Sequence, residues 1–587
     1  MENNIDRIIK QCQTWAVENL GKDFVFRKYQ LEATVAVVNN VINNTKAQAI
    51  NAPTGSGKSL IGFISAGVLW KYYGKQSYIL VSDLSLFKQC EDEIKQYNLG
   101  WGCLKGKDNY ICRLNGNTMN SSECAINKVN FNNLVNPNKA SSHGYPCAVD
   151  CEYVQARNLA LKSPVTVLTY QLYLIHRNSI YLKFEGKAKA GSTPEIFPER
   201  DLVICDEAHK IPDIIQSHFS PQIPFEVPSY IKTLNKWIED DGRTLPDYKF
   251  FESLVENIKE EESNIHIVRM LDKYRKLEVE YLDIISELEK DSKTDSIKYM
   301  NATNALKMSN RKLSDFLDLV NVLGEAIAVK TVNEKSITIN CTYEGKMINK
   351  NFHAVSKSEM FMSATLGNFD TYKEILGLGH LDGDNWKVYE LPSTFDFSKS
   401  PIYYSTKNPM TFKEKDKSFP EVLKQIETIT NNYNDKRGII QTGSHEFTKK
   451  LIESSSPELR KRMLFYSVSK EKDSAVKRFL SSENGILVGA SLLEGLSFDG
   501  DKCRFSIVMK LPYASLANNL ISVKNKLNPK WYGYDCISKL EQGIGRGVRF
   551  DGDWCVNIIL DGSFANLLRF NRNLFNKDIL KRLVKIP

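Results

Sequence analysis

The segment Asn51-Ala-Pro-Thr-Gly-Ser-Gly-Lys-Ser59 constrains the fold more than any other part of the chain. It lies between the apolar run Ala47–Ile50 and an apolar stretch from Leu60, so it reads as strand, tight loop and helix in succession. Gly55 and Gly57 let the backbone curl until its N–H groups point inward, a cradle for phosphate oxygens backed by the positive end of the following helix. Ala52, Pro53, Thr54 and Ser56 complete the loop. Lys58 is placed for the β- and γ-phosphates of ATP, and the Ser59 hydroxyl for a magnesium ion. Ala52 stands where the general pattern has its first glycine.

A second segment supports the first. Asp201-Leu-Val-Ile-Cys205 is an apolar strand that ends in Asp206-Glu-Ala-His209, so two carboxylates stand at the carboxyl edge of a sheet, where ligands gather in open α/β folds. Asp206 can hold magnesium through water, and Glu207 can orient and deprotonate an attacking water. Far downstream, Gln542-Gly-Ile-Gly-Arg-Gly-Val-Arg549 carries Arg546 and Arg549 at i and i+3, one face of a helix, with planar forks suited to phosphate oxygens. These belong to a later part of the chain, so ATP would sit between two units and draw them together.

The rest of the chain agrees with two α/β units. Short β-branched or apolar runs recur at Ala47–Ile50, Tyr78–Val81, Val165–Leu168 and Leu202–Cys205, separated by the amphipathic stretches Leu60–Tyr73 and Ser85–Gln96. A second series comprises Ile402–Tyr404, Gly438–Gln441, Met463–Tyr466, Ile486–Val488, Phe505–Met509 and Val556–Leu560. Between them, Asp247 to Leu323 contains no Gly or Pro, and Ile267, Leu271, Tyr274, Leu277, Tyr281, Ile284 and Leu288 recur at helical steps. This predicts a helical insertion whose Glu and Lys residues form a solvated face. With 78 basic against 70 acidic residues, the net charge of +8 permits a polyanionic partner without demanding one. Met1–Trp15 lacks the apolar core of a signal peptide, and Leu60–Trp70 is far shorter than the roughly 20 residues that cross a bilayer. A soluble, intracellular (cytoplasmic) protein is expected. In a reducing compartment the 12 cysteines read as free thiols or metal ligands, and Cys103, Cys112, Cys124, Cys147 and Cys151 crowd one region.

In order, Arg27 with Gln30, Ala52–Ser59, Asp206–His209, Ser363-Ala-Thr-Leu366, Glu494-Gly495 and Gln542–Arg549 resemble the landmarks of superfamily 2 helicases, specifically the XPD/DinG-type iron-sulfur DNA helicases. Lys105-Gly-Lys-Asp-Asn-Tyr-Ile-Cys112 resembles the start of that family's cluster segment, and Cys151-Glu-Tyr-Val-Gln-Ala-Arg157 its end. With Cys124 and Cys147 the spacing is C-x11-C-x22-C-x3-C. Four thiolates suit a 4Fe-4S cluster or a structural zinc, and the preference for iron-sulfur comes from the resemblance. Cys103 and Cys205 are expected to be plain buried thiols.

The resemblance implies two RecA-like parallel-sheet motor domains with an iron-sulfur insertion and a helical Arch insertion. The expected boundaries are 1–102, 156–215 and 351–370 for motor domain 1, 103–155 for the cluster, 216–350 for the Arch and 371–587 for motor domain 2. It implies that Arg27, Gln30, Ala52, Pro53, Thr54, Gly55, Ser56, Gly57, Lys58, Ser59, Asp206 and His209 bind ATP and magnesium, that Glu207, Gln542, Arg546 and Arg549 act in hydrolysis, and that Ser363–Leu366 couples ATP state to DNA grip. The implied activity is a monomeric ATP-dependent DNA helicase moving 5′ to 3′ on single-stranded DNA and opening forked duplexes. An RNA or RNA-DNA hybrid helicase, and an ATP-switched zinc-containing nucleic-acid clamp that does not unwind, are the other readings. Three places depart from the family pattern: Leu493 and Ser497 flank Glu494-Gly495, Asp83 and Leu84 replace an arginine and threonine, and Glu152 replaces a proline.

Overall fold

The computed structural model describes residues 4–53, 55–122, 150–176, 197–247, 249–261, 263–291, 297–324, 328–342, 344–353, 356–393, 396–466, 471–490, 498, 500–544, 548 and 552–586. In chain order its strands are β1 (Ala47–Asn51), β2 (Ser77–Val81), β3 (Gly102–Leu104), β4 (Val165–Thr169), β5 (Leu202–Cys205), β6 (Gln222–Pro224), β7 (Ala328–Val332), β8 (Ser336–Cys341) and β9 (Ser358–Ser363). They continue with β10 (Trp386–Glu390), β11 (Ile402–Tyr404), β12 (Gly438–Gln441), β13 (Met463–Phe465), β14 (Ile486–Gly489), β15 (Phe505–Val508), β16 (Val556–Ile559) and β17 (Leu583–Lys585).

Two seven-stranded sheets carry the fold, ordered β10-β1-β9-β5-β2-β4-β3 and β13-β14-β12-β15-β16-β11-β17, and every pairing in them is parallel. Parallel strands are covered on both faces, so β1, β2, β4, β5 and β9 are buried at every residue, and β2, β4 and β5 read as largely apolar runs. In the first sheet β1, β9 and β5 are neighbours although far apart in sequence, which sets their carboxyl ends side by side. Asn51 is in register with Ser363, and Cys205 with Phe361.

The helix Lys58–Tyr73 differs from the amphipathic expectation, because Ile61 to Leu69 are all buried. It is sandwiched between the sheet and two N-terminal helices, Asn4–Leu20 and Gln30–Ile42. The contact is close enough that a Cβ at Gly67 would lie 2.1 Å from the Trp15 ring. The first sheet also takes in β10, so its chain runs to Glu390, beyond the boundary expected at 370, and β3 extends it past 102.

The insertion contains the helices Ser229–Asp240, Lys249–Glu260, Asn264–Asp291 and Ile297–Leu323. It is not helical throughout. β6, β8 and β7 form an antiparallel sheet within 216–350. Of the residues expected on the buried stripe, Ile267, Leu271, Tyr274, Leu277, Tyr281 and Leu288 are buried, whereas Ile284 is half-buried and Ile285 takes the inward place. The charged residues are not all solvated either: Glu278 is 1% exposed, and burial pushes its carboxyl up to about 7.

The two sheets meet through the helix Pro529–Ile544, which follows the second sheet's β15 in the chain and lies against the first half of the molecule. Tyr534 Oη donates to Leu366 O at 2.6 Å and Ser538 Oγ to Thr365 O at 3.4 Å. The insertion reaches the second half as well, where Asn519 Nδ2 donates to Lys330 O at 3.2 Å.

One acid on this helix makes stability depend on pH. Glu541 is 4% exposed and its Oε1 accepts the Asn576 N–H at 2.7 Å. Burial raises its carboxyl from the ordinary 4.5 to about 8, against the pull of that hydrogen bond. The folded value lies above the unfolded one, so the group's contribution to stability is full below about pH 4.5 and is lost as pH rises through about 8. Glu541→Gln keeps an acceptor without the charge. Its melting temperature should exceed the parent's by several degrees at about pH 9, with the gain shrinking toward about pH 5. A gain that does not change with pH would contradict this account.

Candidate active site

The phosphate-type loop leaves β1 at Asn51 and enters the helix at Lys58. Gly55 and Gly57 have φ of 83° and 80°, the left-handed region that glycine occupies without penalty. Gly57 is also fixed by space, since a Cβ there would lie 2.4 Å from Gln30 Nε2. Ala52 in place of the first glycine is accommodated, because it does not adopt positive φ and its methyl is buried in the core. The Ala52 N–H donates to Ser363 O at 2.8 Å, while Lys58 Nζ donates to Ala52 O at 3.3 Å. Ser59 stands in the helix's first turn, Ser56 N–H donates to Pro53 O at 3.2 Å, and Thr54 lies outside the described residues.

Arg27 and Gln30 support this loop from outside. Gln30 Nε2 donates to Gly57 O at 3.1 Å, Gln30 Oε1 accepts the Arg27 N–H at 3.0 Å, and Arg27 Nη1 donates to Gly55 O. Both residues expected from sequence therefore reach the loop's backbone.

The acidic segment sits two strands away. Asp206 caps the end of β5 and is 7% exposed; burial, then the charge of Glu207, push its carboxyl up to about 7, while Lys58 draws it down. Asp206 Oδ1 accepts the Glu207 N–H at 2.9 Å. Glu207 itself is left-handed, at φ 47° and ψ 46°. Its Oε2 lies 3.3 Å from His209 Nδ1, and that nitrogen is 2.8 Å from Ser363 Oγ. The Ser363–Leu366 segment thus touches both the loop and the acids, and Leu366 N–H also donates to Asn51 Oδ1 at 3.2 Å.

Asp83, one of the departures, has a local purpose. Its carboxylate caps the helix Leu84–Gln96 by accepting the N–H groups of Ser85 and Leu86 at 3.1 and 3.0 Å, and it lies 3.7 Å from Lys210 Nζ, directly after the acidic segment.

Across the cleft, Gln542 lines a cavity of about 410 Å³ together with His209, Lys210, Lys312, Asp535 and Lys539. Arg546, Arg549, Leu493, Glu494, Gly495 and Ser497 lie outside the described residues. Sequence reasoning missed Tyr534 and Ser538, which tie the Gln542 helix to Ser363–Leu366. No motif points to them, because both acceptors are main-chain carbonyls.

Two of the four clustered thiols are described. Cys112 is buried, Cys151 is half-buried at the start of the helix Glu152–Lys162, and both pack into the same apolar cluster. Their segments are drawn together by the Tyr110–Tyr153 ring pair, 5.5 Å apart edge to face, and by Arg113 beside Glu152 at 3.5 Å. Glu152, another departure, thus has a partner next to Cys112, although so exposed a pair is worth little. Cys124 and Cys147 lie outside the described residues. Cys103 is half-buried, where full burial was expected, and burial raises its thiol to about 12. Cys205 is fully buried in its strand, as expected.

Comparison with known proteins converges on one family. A family model for the helicase C-terminal domain matches residues 426–578, and one for the res subunit of type III restriction enzymes matches residues 23–227. The ATP-dependent DNA helicase YoaA of Haemophilus influenzae is 22% identical over 619 residues, covering 92% of this chain and 91% of that protein. A probable ATP-dependent helicase of Methanocaldococcus jannaschii is 21% identical, covering 89% of this chain and 90% of its own length. Among solved structures, an XPD helicase superimposes with a TM-score of 0.60 at 15% identity, covering 96% of this chain and all of that one. Over nearly its whole length the chain is similar to helicases of the XPD/DinG type. The Xpd4 structure from S. tokodaii, with a TM-score of 0.57 at 12% identity, shares the same two-sheet fold. The motifs that carry this similarity are gathered by the fold at three neighbouring strand ends and one bridging helix. Among the described residues, no helix is long and apolar enough to cross a membrane.

Proposed function

We propose that this chain is an ATP-dependent DNA helicase that moves 5′ to 3′ on single-stranded DNA and opens forked duplexes as a monomer. The observation that carries the reading is the convergence of the motifs: the loop to Lys58 follows β1, Ser363 ends β9, and Asp206 and Glu207 follow β5, three neighbouring strands, while the facing helix, hydrogen-bonded to Leu366, lines one cavity through Gln542 together with His209. In that cleft the loop's N–H groups and Lys58 bind the phosphates of ATP, with Arg27 and Gln30 holding the loop in shape. Ser59 and Asp206 would hold magnesium, which neutralises charge on the β- and γ-phosphates. Glu207 accepts the proton of the attacking water. Gln542, Arg546 and Arg549 contribute from the second motor domain, so the cleft is complete only when the two sheets approach.

Cys112, Cys124, Cys147 and Cys151 would hold a 4Fe-4S cluster, which cross-links the insertion covalently. The contacts of Tyr110 with Tyr153 and of Arg113 with Glu152, which join the segments bearing Cys112 and Cys151, support this set.

The test compares purified protein on matched DNA and RNA single strands, with forked duplexes bearing 5′ or 3′ tails, and assays iron and acid-labile sulfide after anaerobic purification. The proposal expects ATPase stimulated more by DNA, unwinding of the 5′-tailed duplex, and about four irons per chain. Stronger stimulation by RNA would favour the RNA or hybrid reading. Zinc in place of iron, with nucleic-acid binding and no unwinding, would favour the clamp.

A further inference from the structure

The turn that carries Glu207 is held by two tyrosines that no motif includes. Tyr170 follows β4 directly, and Tyr372 lies in the helix Phe369–Ile375, just beyond the Ser363–Leu366 segment; each is 1% exposed. Tyr170 Oη donates to Asp206 O at 2.8 Å, and Tyr372 Oη donates to Ala208 O at 2.8 Å. The carbonyl between them, Glu207 O, accepts the Lys210 N–H at 3.0 Å. Three consecutive carbonyls of the acidic turn are therefore each pinned by a donor.

The turn needs such support. Glu207 is one of five described non-glycine residues at positive φ, and three of the others are asparagines, whose short amide tolerates this region. A glutamate has no such relief, so its backbone persists there only if its surroundings impose it. The imposed geometry has a consequence for the side chains. Asp206 Oδ1 receives the Glu207 N–H, whereas Glu207 Oε2 lies 3.3 Å from His209 Nδ1, so adjacent carboxylates have distinct partners.

We infer that Tyr170 and Tyr372 are positioning residues for Glu207, their phenol O–H groups fixing the peptide planes that aim its carboxylate at the attacking water. The inference rests on the proposed role of Glu207 in hydrolysis. It also ties that aim to two elements, the end of β4 on one side and, on the other, the helix Phe369–Ile375 that follows the Ser363–Leu366 segment. Since Leu366 O takes the Tyr534 hydroxyl from the second motor domain, the Tyr372 side of the brace is linked to the helix that bears Gln542.

Tyr170→Phe and Tyr372→Phe remove only the hydroxyls and keep the rings that fill the core. Each variant of the full chain should fold, with an unchanged far-ultraviolet circular dichroism spectrum, and bind a non-hydrolysable ATP analogue within about twofold of the parent. Each should lose roughly tenfold in kcat at saturating DNA while KM for ATP changes less than about twofold. In a Glu207→Gln background, the same substitutions should leave the residual rate unchanged, because the group they aim is gone. A parent that hydrolyses ATP alongside variants that keep its kcat would overturn the brace and leave the helicase reading standing. Equal further losses in the Glu207→Gln background would also overturn it, by showing that the tyrosines do not act through Glu207. A parent with no ATPase on any nucleic acid would bring down the helicase reading and the brace with it.

Discussion

Glu207→Gln is expected to lower ATP turnover by about 10³-fold with nucleic acid present, while ATP still binds. Glutamine has almost the same shape, so the left-handed turn and its three pinned carbonyls are kept; what disappears is the negative charge that takes the proton from water. On the proposed assignment, nucleotide binding depends on Lys58 and the loop that follows β1, two strands away from β5, so KM should move little. The variant should also accumulate the ATP-bound state in which the motor domains are drawn together, and so hold single-stranded DNA longer than the parent. Single-turnover hydrolysis and DNA dissociation rates check both parts. Turnover near the parent's would remove Glu207 from the chemistry and leave the acidic pair with a role in binding metal only.

Much of the fold was legible because parallel strands buried on both faces leave a simple trace. The runs at Leu202–Cys205, Ile402–Tyr404 and Gly438–Gln441 coincide with β5, β11 and β12. β9 was not legible, although it lies at the centre of the first sheet, because its sequence opens Ser358-Glu359. Glu359 is fully buried there, with His353 Nδ1 at 2.6 Å and the Ser356 hydroxyl at 2.6 Å. Burial alone would raise its carboxyl; His353 and the other partners outweigh that and hold it below its ordinary value. A buried acid with partners looks like a surface acid to any rule that counts charge. β10 escaped for a different reason: as an edge strand it buries only Trp386 fully, with Lys387 and Tyr389 half-buried and Val388 and Glu390 exposed, so it leaves no apolar run.

The site divides the same way. The loop and the acidic pair are legible because their chemistry demands particular side chains at fixed spacing. The contacts that assemble them into a cleft are long-range and end on main-chain carbonyls: Tyr534 to Leu366, Tyr170 to Asp206, Tyr372 to Ala208. A carbonyl is present at every residue, so the acceptor leaves no mark in the sequence, and a buried tyrosine reads as core. The Arch sheet was missed because the Gly- and Pro-free stretch ends at Leu323, and the hairpin of β7 and β8 lies just beyond it.

Lys58→Ala should weaken ATP binding by roughly 10²-fold, the loss of about 3 kcal/mol expected for charge-assisted contacts to phosphate oxygens. The protein should keep its fold. Lys58 is half-exposed at the start of its helix, and its hydrogen bond at 3.3 Å goes to Ala52 O, an acceptor supplied by the same loop. The curl of that loop is set elsewhere, by the left-handed glycines and by Gln30 on Gly57 O, neither of which the substitution touches. Removing the cation also takes positive charge from the place where the γ-phosphoryl group departs, so turnover should fall even when ATP is saturating. That separates Lys58 from a residue that only binds the ground state, whose loss would raise KM and spare kcat. Lys58→Arg is the stricter comparison. It restores the charge but not the compact point-like head, replacing it with a planar fork of different geometry. If charge alone sufficed, Arg would recover most of the activity; if position decides, it should recover binding in part and turnover hardly at all. Isothermal titration with a non-hydrolysable analogue, together with steady-state ATPase, reads the two effects independently, and near-parent values for both in Lys58→Ala would remove this loop from nucleotide binding.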